Sequence, residues 1–422
     1  MPGGGDAPAP QAIALVYTPK EIGCSAGSEN FAHYVACCLA ATGAAHMVHL
    51  VPHYGGDAAA ATAATAPRKE HLEVLHQTGQ RIKATEARLT RGSPMSVVKT
   101  CAMVMVCVES SAMAACGERL RTSLVKSKDC ILFAAGLGPT DARSLSGAMP
   151  DNIVLGACPC FDVVRISVQG VALYAATCDG YLVVERLSKE KERAGALAFI
   201  DMLEQRAGLS IWSHRNISAV AWGRILHSTF AAPNALHGVT AHAQLANASH
   251  RRLWAALLHE GNAVMTKAGK TVGNGEWRAD LVGVSVLNAP RTEMVLQMPG
   301  PMFALAAWCN AGLGISPLKD APTLMQQDLR DGRTTAVEHT LGEIVLEGKR
   351  LKVKTKVTEL LLQAVQAAAA KGKGVPGISG KVLYEQAGSP TTSNQALYSA
   401  VFAAIAIFVC IGAVGVGMYL LD

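Results

Sequence analysis

"AIALVYTPKEIGCSAGSENFAHYVACCLAATGAAHMVHLV", residues 12–51, decides the fold. Its first six residues are an apolar run with the length of a buried strand, and a loop of small residues follows. Residues 30–43 have the apolar spacing of a helix, and residues 46–51 form a second apolar run. A strand, a helix and a strand in this order predict a βαβ unit of a parallel sheet.

The same alternation continues through the N-terminal half of the chain. Apolar strand-like runs recur at residues 101–108 and 130–136, with a helix-like segment between them. From about residue 190 the apolar positions follow a helical period instead, as in residues 251–269. We therefore expect an α/β domain over residues 12–190 and an all-α domain over residues 191–370.

Composition supports two packed domains. The chain has 422 residues, of which 50% are hydrophobic and 17% are charged, so it has enough apolar side chains to form buried cores. The formal net charge is +6, and the lysines and arginines are scattered along the chain. A nucleic-acid-binding protein usually clusters such residues, so we expect no nucleic-acid partner.

Twelve cysteines are present, but they form no Cys-x-x-Cys pair and no Cys/His ladder with zinc spacing. The closest approach is "CPC" at residues 158–160. We expect reduced, partly buried thiols in a cytosolic domain, with a redox or metal role for this pair as the alternative. No metal site is predicted.

The two ends of the chain have their own composition. Residues 1–11 have neither a basic start nor an apolar run, so we expect a disordered tail and no secretory signal. Residues 371–395 are rich in Gly, Ser and Pro and predict a flexible linker. Residues 396–421 contain no charge, and Tyr398 and Tyr419 lie near their ends. Because a helix of about 20 residues crosses a bilayer, this segment predicts a single transmembrane anchor.

An anchor in this position predicts a tail-anchored protein with cytosolic N-terminal domains. No basic residue follows the span, which favours the endoplasmic reticulum over the mitochondrial outer membrane or the peroxisome. Ala413 and Gly417 form a small-xxx-small pair through which two spans can pack, so a homodimer is a candidate assembly.

Four stretches share the pattern of a known family: residues 130–161, residues 217–236 with "AVAWGRILHS", residues 253–269, and residues 321–365 with "TLMQQDLRDGRTTAVEHTLG". Together they resemble ketopantoate reductase (2-dehydropantoate 2-reductase). The last stretch is the most specific, because six of its residues fall in register with the family signature: Gln327, Asp328, Gly332, Arg333, Thr335 and Gly342.

The resemblance covers about residues 12–368. It implies a Rossmann-type NADP-binding domain followed by an all-helical domain of the 6-phosphogluconate-dehydrogenase type. It also implies reduction of a 2-oxo acid with NADPH, in which a lysine donates the proton.

This chain departs from the family at the catalytic positions. The lysine position holds Arg224, and the asparagine position one turn later holds Ser228. Arginine keeps its proton because its pKa lies above about 12, so it is a poor acid. The serine position holds Leu324, and the glutamate position holds Ala336. The candidate catalytic positions are therefore Arg224, Ser228, Thr323 beside the serine position, and Glu338 two residues after the glutamate position.

The cofactor loop departs from the family in a similar way. A dinucleotide fold uses G-x-G-x-x-G to bring backbone N–H groups to the pyrophosphate. After the first strand this chain offers only Gly23 and Gly27, and Pro19 removes one backbone donor. In the second glycine turn, the family's asparagine position holds Ala135, beside Gly136. These four small residues are the candidate cofactor-binding positions, and NADP is the cofactor that the resemblance implies.

Three functional hypotheses follow. The first is a membrane-anchored pseudoenzyme with an eroded catalytic set, which serves as a binding or scaffold module for an unidentified small-molecule ligand. The second is an active NADPH-dependent reductase of a 2-oxo acid or another carbonyl, with His227 or Tyr17 as an alternative proton donor. The third is a purely structural anchor. Function must be argued from the site, and the departures at the catalytic positions favour the first hypothesis.

Overall fold

The computed structural model describes residues 12–19, 25–43, 45, 47–54, 72–76, 78–84, 86–124, 130–136, 138–169, 171–177, 180–189, 195–268, 296–297 and 322–390. The strands are β1 (Ala12–Tyr17), β2 (Val48–Pro52), β3 (Glu73–Leu75), β4 (Arg81–Lys83), β5 (Leu89–Arg91), β6 (Cys101–Val106), β7 (Ile131–Ala134), β8 (Ile153–Pro159), β9 (Val163–Val168), β10 (Val171–Ala176), β11 (Leu182–Glu185) and β12 (Ile211–His214).

The helices are α1 (Gly27–Thr42), α2 (Met113–Leu124), α3 (Asp141–Ala148), α4 (Ala196–Asp201), α5 (Ile217–Ser228), α6 (Ala231–His237), α7 (Ala241–Ala246), α8 (Ala248–Lys267), α9 (Leu324–Arg330), α10 (Leu341–Leu351), α11 (Lys356–Lys371) and α12 (Gly380–Gln386). A π-helical turn, Met202–Arg206, continues α4, and a 3-10 turn, Ala336–His339, precedes α10.

An eight-stranded sheet forms the N-terminal domain, in the order β12-β11-β8-β7-β6-β1-β2-β5. Its neighbouring strands are parallel except for β11, which runs antiparallel to β8. The chain leaves β1 toward β2 on one side, and the later strand β6 pairs with β1 on the other side. This reversal is the topological switch point of a doubly wound fold. The predicted Rossmann-like α/β domain is confirmed.

Strand β1 lies between two apolar layers. Ile13 and Leu15 pack with α1 on one face, and Ala14 and Val16 pack with α2 and α3 on the other. All four side chains are fully buried. A parallel strand covered on both faces needs a continuous apolar run, which is why the sequence of this segment has no polar alternation.

A second sheet of four strands, in the order β4-β3-β10-β9, covers the outer side of α1. Helix α1 is therefore buried between two sheets, which explains why 12 of its 16 residues are buried. Strands β9 and β10 form an antiparallel hairpin in which Arg165 is paired with Tyr174. The sequence had not predicted this sheet, because β3 and β4 have only three residues each.

The C-terminal domain is helical, as predicted. Apolar side chains from α8, α10, α11 and α12 share one core, which includes Leu257, Leu341 and Leu361. Glu260 fixes the start of α11, because its carboxylate accepts hydrogen bonds from the backbone N–H groups of Val357 (3.0 Å) and Thr358 (2.9 Å). A carboxylate at a helix N-terminus satisfies free donors and complements the helix dipole.

Two predicted boundaries are wrong. Residues 211–214 form β12 of the large sheet, so the α/β domain extends well beyond residue 190. The predicted linker, residues 371–395, is folded as far as the structure describes it: α12 packs on α8, and Leu383 is fully buried. The backbone N–H of Ile378 also donates to the carbonyl of Leu236 at 2.9 Å. The serine and glycines that suggested flexibility include Ser379 and Gly380, the cap and first residue of α12.

The predicted tail, residues 1–11, and the predicted transmembrane span, residues 396–421, lie outside the described residues. Among the residues that the structure describes, no helix combines the length and the apolar character that crossing a bilayer requires.

Candidate functional site

A cleft opens at the carboxyl ends of β1, β6, β7 and β8, where helix α9 and the turn before α10 face the large sheet. It encloses about 540 Å³, including space that is open to solvent. This is the switch point of the sheet, where ligands bind in doubly wound folds. Its walls are Ser25, Gly27, Ser28, Phe31, Cys107, Val108, Glu109, Ser110, Ala135, Gly136, Pro159, Phe161, Asp162, Val163, Arg224, Leu324, Ala336 and His339.

Arg224 reaches this cleft from the middle of α5. Its side chain is 6% exposed, and its Nη2 atom lies 2.6 Å from Oδ1 of Asp162, which is 32% exposed. Helix α5 begins at the cap of Asn216, whose side chain accepts from Ala219 N, and packs on β8 and β11. The guanidinium is therefore held in an ion pair at the position where the reductase family has a lysine.

The other three candidate catalytic residues do not line the cleft. Ser228 is the last residue of α5. Thr323 caps α9 and donates its hydroxyl to Oδ1 of Asn234 at 2.9 Å. Glu338 accepts a hydrogen bond from the amide of Gln366. Of the four, only Arg224 faces the cleft, and the structure does not bring them together.

Leu324 and Ala336, in contrast, both line the cleft. These are the positions at which the resemblance places the substrate-binding serine and glutamate. The alignment with the family motif therefore identified two residues that do line the cleft, but their side chains are apolar. They offer a substrate no hydrogen bond.

Three of the four candidate cofactor residues line the cleft: Gly27, Ala135 and Gly136. Gly23 lies outside the described residues. A Cβ atom on Gly27 would lie 2.8 Å from Cδ2 of Leu324, so glycine permits α9 to pack against the start of α1. Asp141 occupies the second glycine turn, because its Oδ2 atom accepts from the N–H of Gly138 at 2.8 Å.

Two donors next to the N-terminus of α1 are satisfied by a carboxylate of the second domain. Asp328, from α9, is fully buried; its carboxylate accepts hydrogen bonds from Ser25 Oγ at 2.6 Å and from Ala26 N at 3.1 Å. Burial raises the pKa of Asp328 to about 6, although these hydrogen bonds and the nearby Arg333 lower it in part. A dinucleotide fold presents such donors to pyrophosphate. Here Asp328 accepts from one of these N–H groups, that of Ala26, and places a carboxylate where the pyrophosphate would lie, so this part of the loop does not fit NADP in the usual way.

Two further titratable groups face each other across the cleft. Oε2 of Glu109 lies 4.0 Å from Nε2 of His339. Burial raises the pKa of Glu109, and burial lowers the pKa of His339. Among the described residues of the cleft wall, Asp162 and Glu109 are the acids and Arg224 is the arginine.

Sequence reasoning missed Asp162, Glu109, Asp141 and His339. Glu109 could have been found, because it follows β6 closely at the carboxyl edge of a predicted parallel sheet. Asp162 carries no such signal, since its partner Arg224 is 62 residues away in sequence. Within the described ranges, no three His, Cys, Asp or Glu side chains come together as a metal site would require.

The alternative proton donors also lie elsewhere. The ring of His227 packs edge-on against Trp254 at 5.9 Å, and burial lowers the pKa of His227 to about 4. The ring of Tyr17 packs against His33 at 5.1 Å. Neither side chain is part of the cleft wall. Cys158 and Cys160 are reduced and buried beside α5.

Comparisons with known proteins agree with this architecture. Residues 216–369 match the family model described as ketopantoate reductase PanE/ApbA C terminal. A sequence comparison with curated proteins gives no match.

Solved structures match nearly the whole fold. A PanE/ApbA family ketopantoate reductase from Ralstonia eutropha JMP134 is 18% identical, with a TM-score of 0.55 over 86% of this chain and 99% of its own. D-mandelate dehydrogenase in a ternary structure with NADH and anilino(oxo)acetate is 16% identical, with a TM-score of 0.58 over the same shares. A dimeric ketopantoate reductase from Staphylococcus aureus is 13% identical, with a TM-score of 0.50 over 86% and 99%.

At these identities the structural matches establish the fold, and the family model adds the sequence signature of the second domain. The resemblance that the sequence suggested is confirmed: residues 216–369 match the model of the C-terminal domain of the ketopantoate reductase PanE/ApbA family.

Proposed function

We propose that this protein is a pseudoenzyme, which keeps the cleft of a ketopantoate reductase as a binding site but no longer reduces a 2-oxo acid. One observation carries the proposal. Arg224 stands at the position of the proton-donating lysine, and its guanidinium is bound 2.6 Å from the carboxylate of Asp162.

Reduction of a ketone requires a hydride for the carbonyl carbon and a proton for the carbonyl oxygen. A positioned general acid accelerates such a step by about 10²–10⁴-fold. An arginine side chain stays protonated in proteins and is a poor acid. Arg224 can therefore bind an oxygen atom but cannot supply the proton.

The rest of the cleft supports the same proposal. The side chains of Leu324 and Ala336 offer no hydrogen bond to a substrate, and Asp328 takes two donors before α1, Ser25 Oγ and Ala26 N. Asp162 and Glu109 add negative charge where an anionic dinucleotide would bind. Each of these features lowers the affinity for NADPH or for a 2-oxo acid.

Arg224 gives the cleft a binding function instead. Among the described residues, Nη2 is the guanidinium nitrogen with a hydrogen-bond partner, and that partner is Asp162. The other N–H groups of the fork can bind a carbonyl or carboxylate oxygen of a ligand. The aromatic rings of Phe31 and Phe161, 5.8 Å apart, provide an apolar wall for the rest of it.

The proposal includes a place in the cell. Residues 396–421 anchor the chain in a membrane, with the endoplasmic reticulum favoured, and the two domains lie on the cytosolic side. The support is the uncharged 26-residue segment. A homodimer is also proposed, supported by the dimeric state of the Staphylococcus aureus relative and by the small-residue pair Ala413 and Gly417. Fractionation of cells that express the full chain, with and without residues 396–421, tests the anchor.

The function is tested by NADPH oxidation, with ketopantoate and a panel of 2-oxo acids, on the full chain in detergent. We expect no turnover and no binding at millimolar NADPH. Arg224→Lys combined with Asp162→Ala restores a lysine without its carboxylate and is the matched comparator. Turnover by the wild-type chain, lost in Arg224→Met, would show that the protein is a reductase.

The second candidate is an active NADPH-dependent reductase of another carbonyl compound. It is favoured by the position of the cleft at the switch point and by the raised pKa of Glu109, which lies in the cleft. A carboxylic acid with a raised pKa can serve as a general acid. In that case a nicotinamide cofactor supplies the hydride, and Glu109→Gln abolishes the turnover that the wild type shows.

A further inference from the structure

A second cleft, the junction groove, lies between the β9–β10 hairpin and helix α9 with its following turn. It encloses about 650 Å³, including space that is open to solvent, and its walls are Ala26, Asn30, Arg165, Ile166, Ser167, Ala172, Gln327, Asp331, Arg333. None of these residues lines the cleft at the carboxyl ends of β1, β6, β7 and β8, which is called the central cleft below. Most of the described wall residues are polar or charged.

Arg165 stands on one wall of the junction groove with its backbone fixed. Its N–H donates to Oε1 of Gln327 at 3.2 Å, and its carbonyl accepts from Nε2 of Gln327 at 2.5 Å. The side chain is exposed, and its guanidinium has no hydrogen bond or ion pair with any described residue. A cation is thus held at the groove without a counter-ion among the described residues.

Arg333 stands on the opposite wall and is fixed at its side chain. Its Nε atom donates to Oδ1 of Asp328 at 3.1 Å, and its Nη1 atom lies 2.6 Å from Oδ2 of Asp331. The guanidinium is 14% exposed, so it is rigid and largely buried. Asp328 and Asp331 together compensate Arg333, so among the described residues Arg165 is the cation of the groove wall that lacks a counter-ion.

We infer that the junction groove binds a small soluble ligand through a phosphate group. The planar fork of a guanidinium matches two oxygens of a phosphate, and charge-assisted hydrogen bonds of this kind are strong. Arg165 binds the phosphate from the sheet, Arg333 binds it from the helical domain, and Ser167 adds a hydroxyl donor. Because Asp328 and Asp331 already hold the guanidinium of Arg333, ordering this side chain adds little to the conformational entropy cost of binding.

This site is independent of the proposed function of the central cleft. It uses different residues and requires neither a dinucleotide nor hydride chemistry. It also spans both domains, since Arg165 belongs to β9 and Arg333 follows α9. A ligand bound there holds the same two elements together that Gln327 already connects.

Inorganic pyrophosphate is the probe, titrated by calorimetry into the full chain in a neutral detergent at low ionic strength. We expect binding that weakens as salt is added. Arg165→Gln should weaken it by about tenfold or more, because a charge-assisted contact is lost. Arg215→Gln, an equal charge change on an exposed residue outside the groove, should leave the affinity unchanged.

Three results would overturn the inference. One is the absence of binding at millimolar pyrophosphate. Another is an equal loss in Arg165→Gln and Arg215→Gln, which would indicate a general effect of charge. The third is a loss in Arg224→Lys with none in Arg165→Gln, which would place the probe in the central cleft. Thermal unfolding of each variant checks that it is folded.

Discussion

The carboxylate of Asp328, on a helix of the C-terminal domain, lies 2.6 Å from the hydroxyl of Ser25, next to the first helix of the N-terminal domain. The same carboxylate accepts from the N–H of Ala26 and from Nε of Arg333. One fully buried acid thus satisfies donors from both domains.

Asp328→Ala should therefore destabilise the protein strongly. The change leaves Ser25, Ala26 and Arg333 without their acceptor in a buried place, and breaking a buried pair on one side costs about 3–5 kcal/mol. Denaturant unfolding measures the effect. Asp331→Ala is the matched control: its carboxylate also contacts Arg333 but is 44% exposed, so the expected loss is below about 1 kcal/mol. Equal losses of unfolding free energy in the two variants would show that burial does not determine how much Asp328 contributes to stability.

Asp141 should make stability fall as the pH rises from about 4 to 6. Burial raises its pKa in the folded protein from the ordinary 3.8 to about 6. Between these values the folded state binds the extra proton, so the free energy of unfolding decreases with increasing pH. Asp141→Asn cannot ionise. The wild type should lose stability relative to this variant from pH 4 to 6 and then follow it in parallel. A difference that stays constant over that range would contradict the prediction.

Gly380→Ala should loosen helix α12. A Cβ atom at this position would lie 2.7 Å from Cγ of the His250 ring, closer than packed atoms permit. We expect a loss of about 1–3 kcal/mol and earlier proteolytic cleavage between residues 372 and 390. Gly147→Ala is the control, because nothing lies within 4 Å of a Cβ there and alanine favours the helix that contains it. Unchanged cleavage in Gly380→Ala would contradict the docking of α12.

Gln327→Ala should release the edge of the second sheet. The side chain of Gln327 pairs with both backbone groups of Arg165, as a neighbouring strand would. Its loss should cost about 1 kcal/mol, because water can replace part of the bonds at an edge. Hydrogen exchange of the Arg165 amide should become faster, while the β1 amides stay protected. A uniform acceleration across both sheets would point to global unfolding instead.

The large sheet could be predicted because its strands are buried on both faces, so their apolar runs are visible in the sequence. The second sheet could not, since its shortest strands have three residues and depend on pairing partners far along the chain. The docked helix α12 was misjudged because Ser379 and Gly380 are typical of linkers as well as of a helix start.

The site was predicted to a similar extent. Register with a known family identified Arg224, Leu324 and Ala336, which all line the cleft. It could not identify Asp162 as the partner of Arg224, because the two residues are 62 positions apart in the sequence. Nor could it identify Asp328 as the partner of Ser25, which is 303 positions away. Contacts of this kind follow from the packing of the two domains and leave no local pattern.

The docking of α12 sets a short tether. Helix α12 ends at Gln386, and the uncharged segment begins at residue 396, ten residues later. Ten residues span at most about 33–36 Å in any conformation. If the uncharged segment enters a bilayer, the C-terminal domain is confined within about one protein diameter of the lipid headgroups. Partners that bind this domain must then be membrane proteins or must themselves approach the membrane surface.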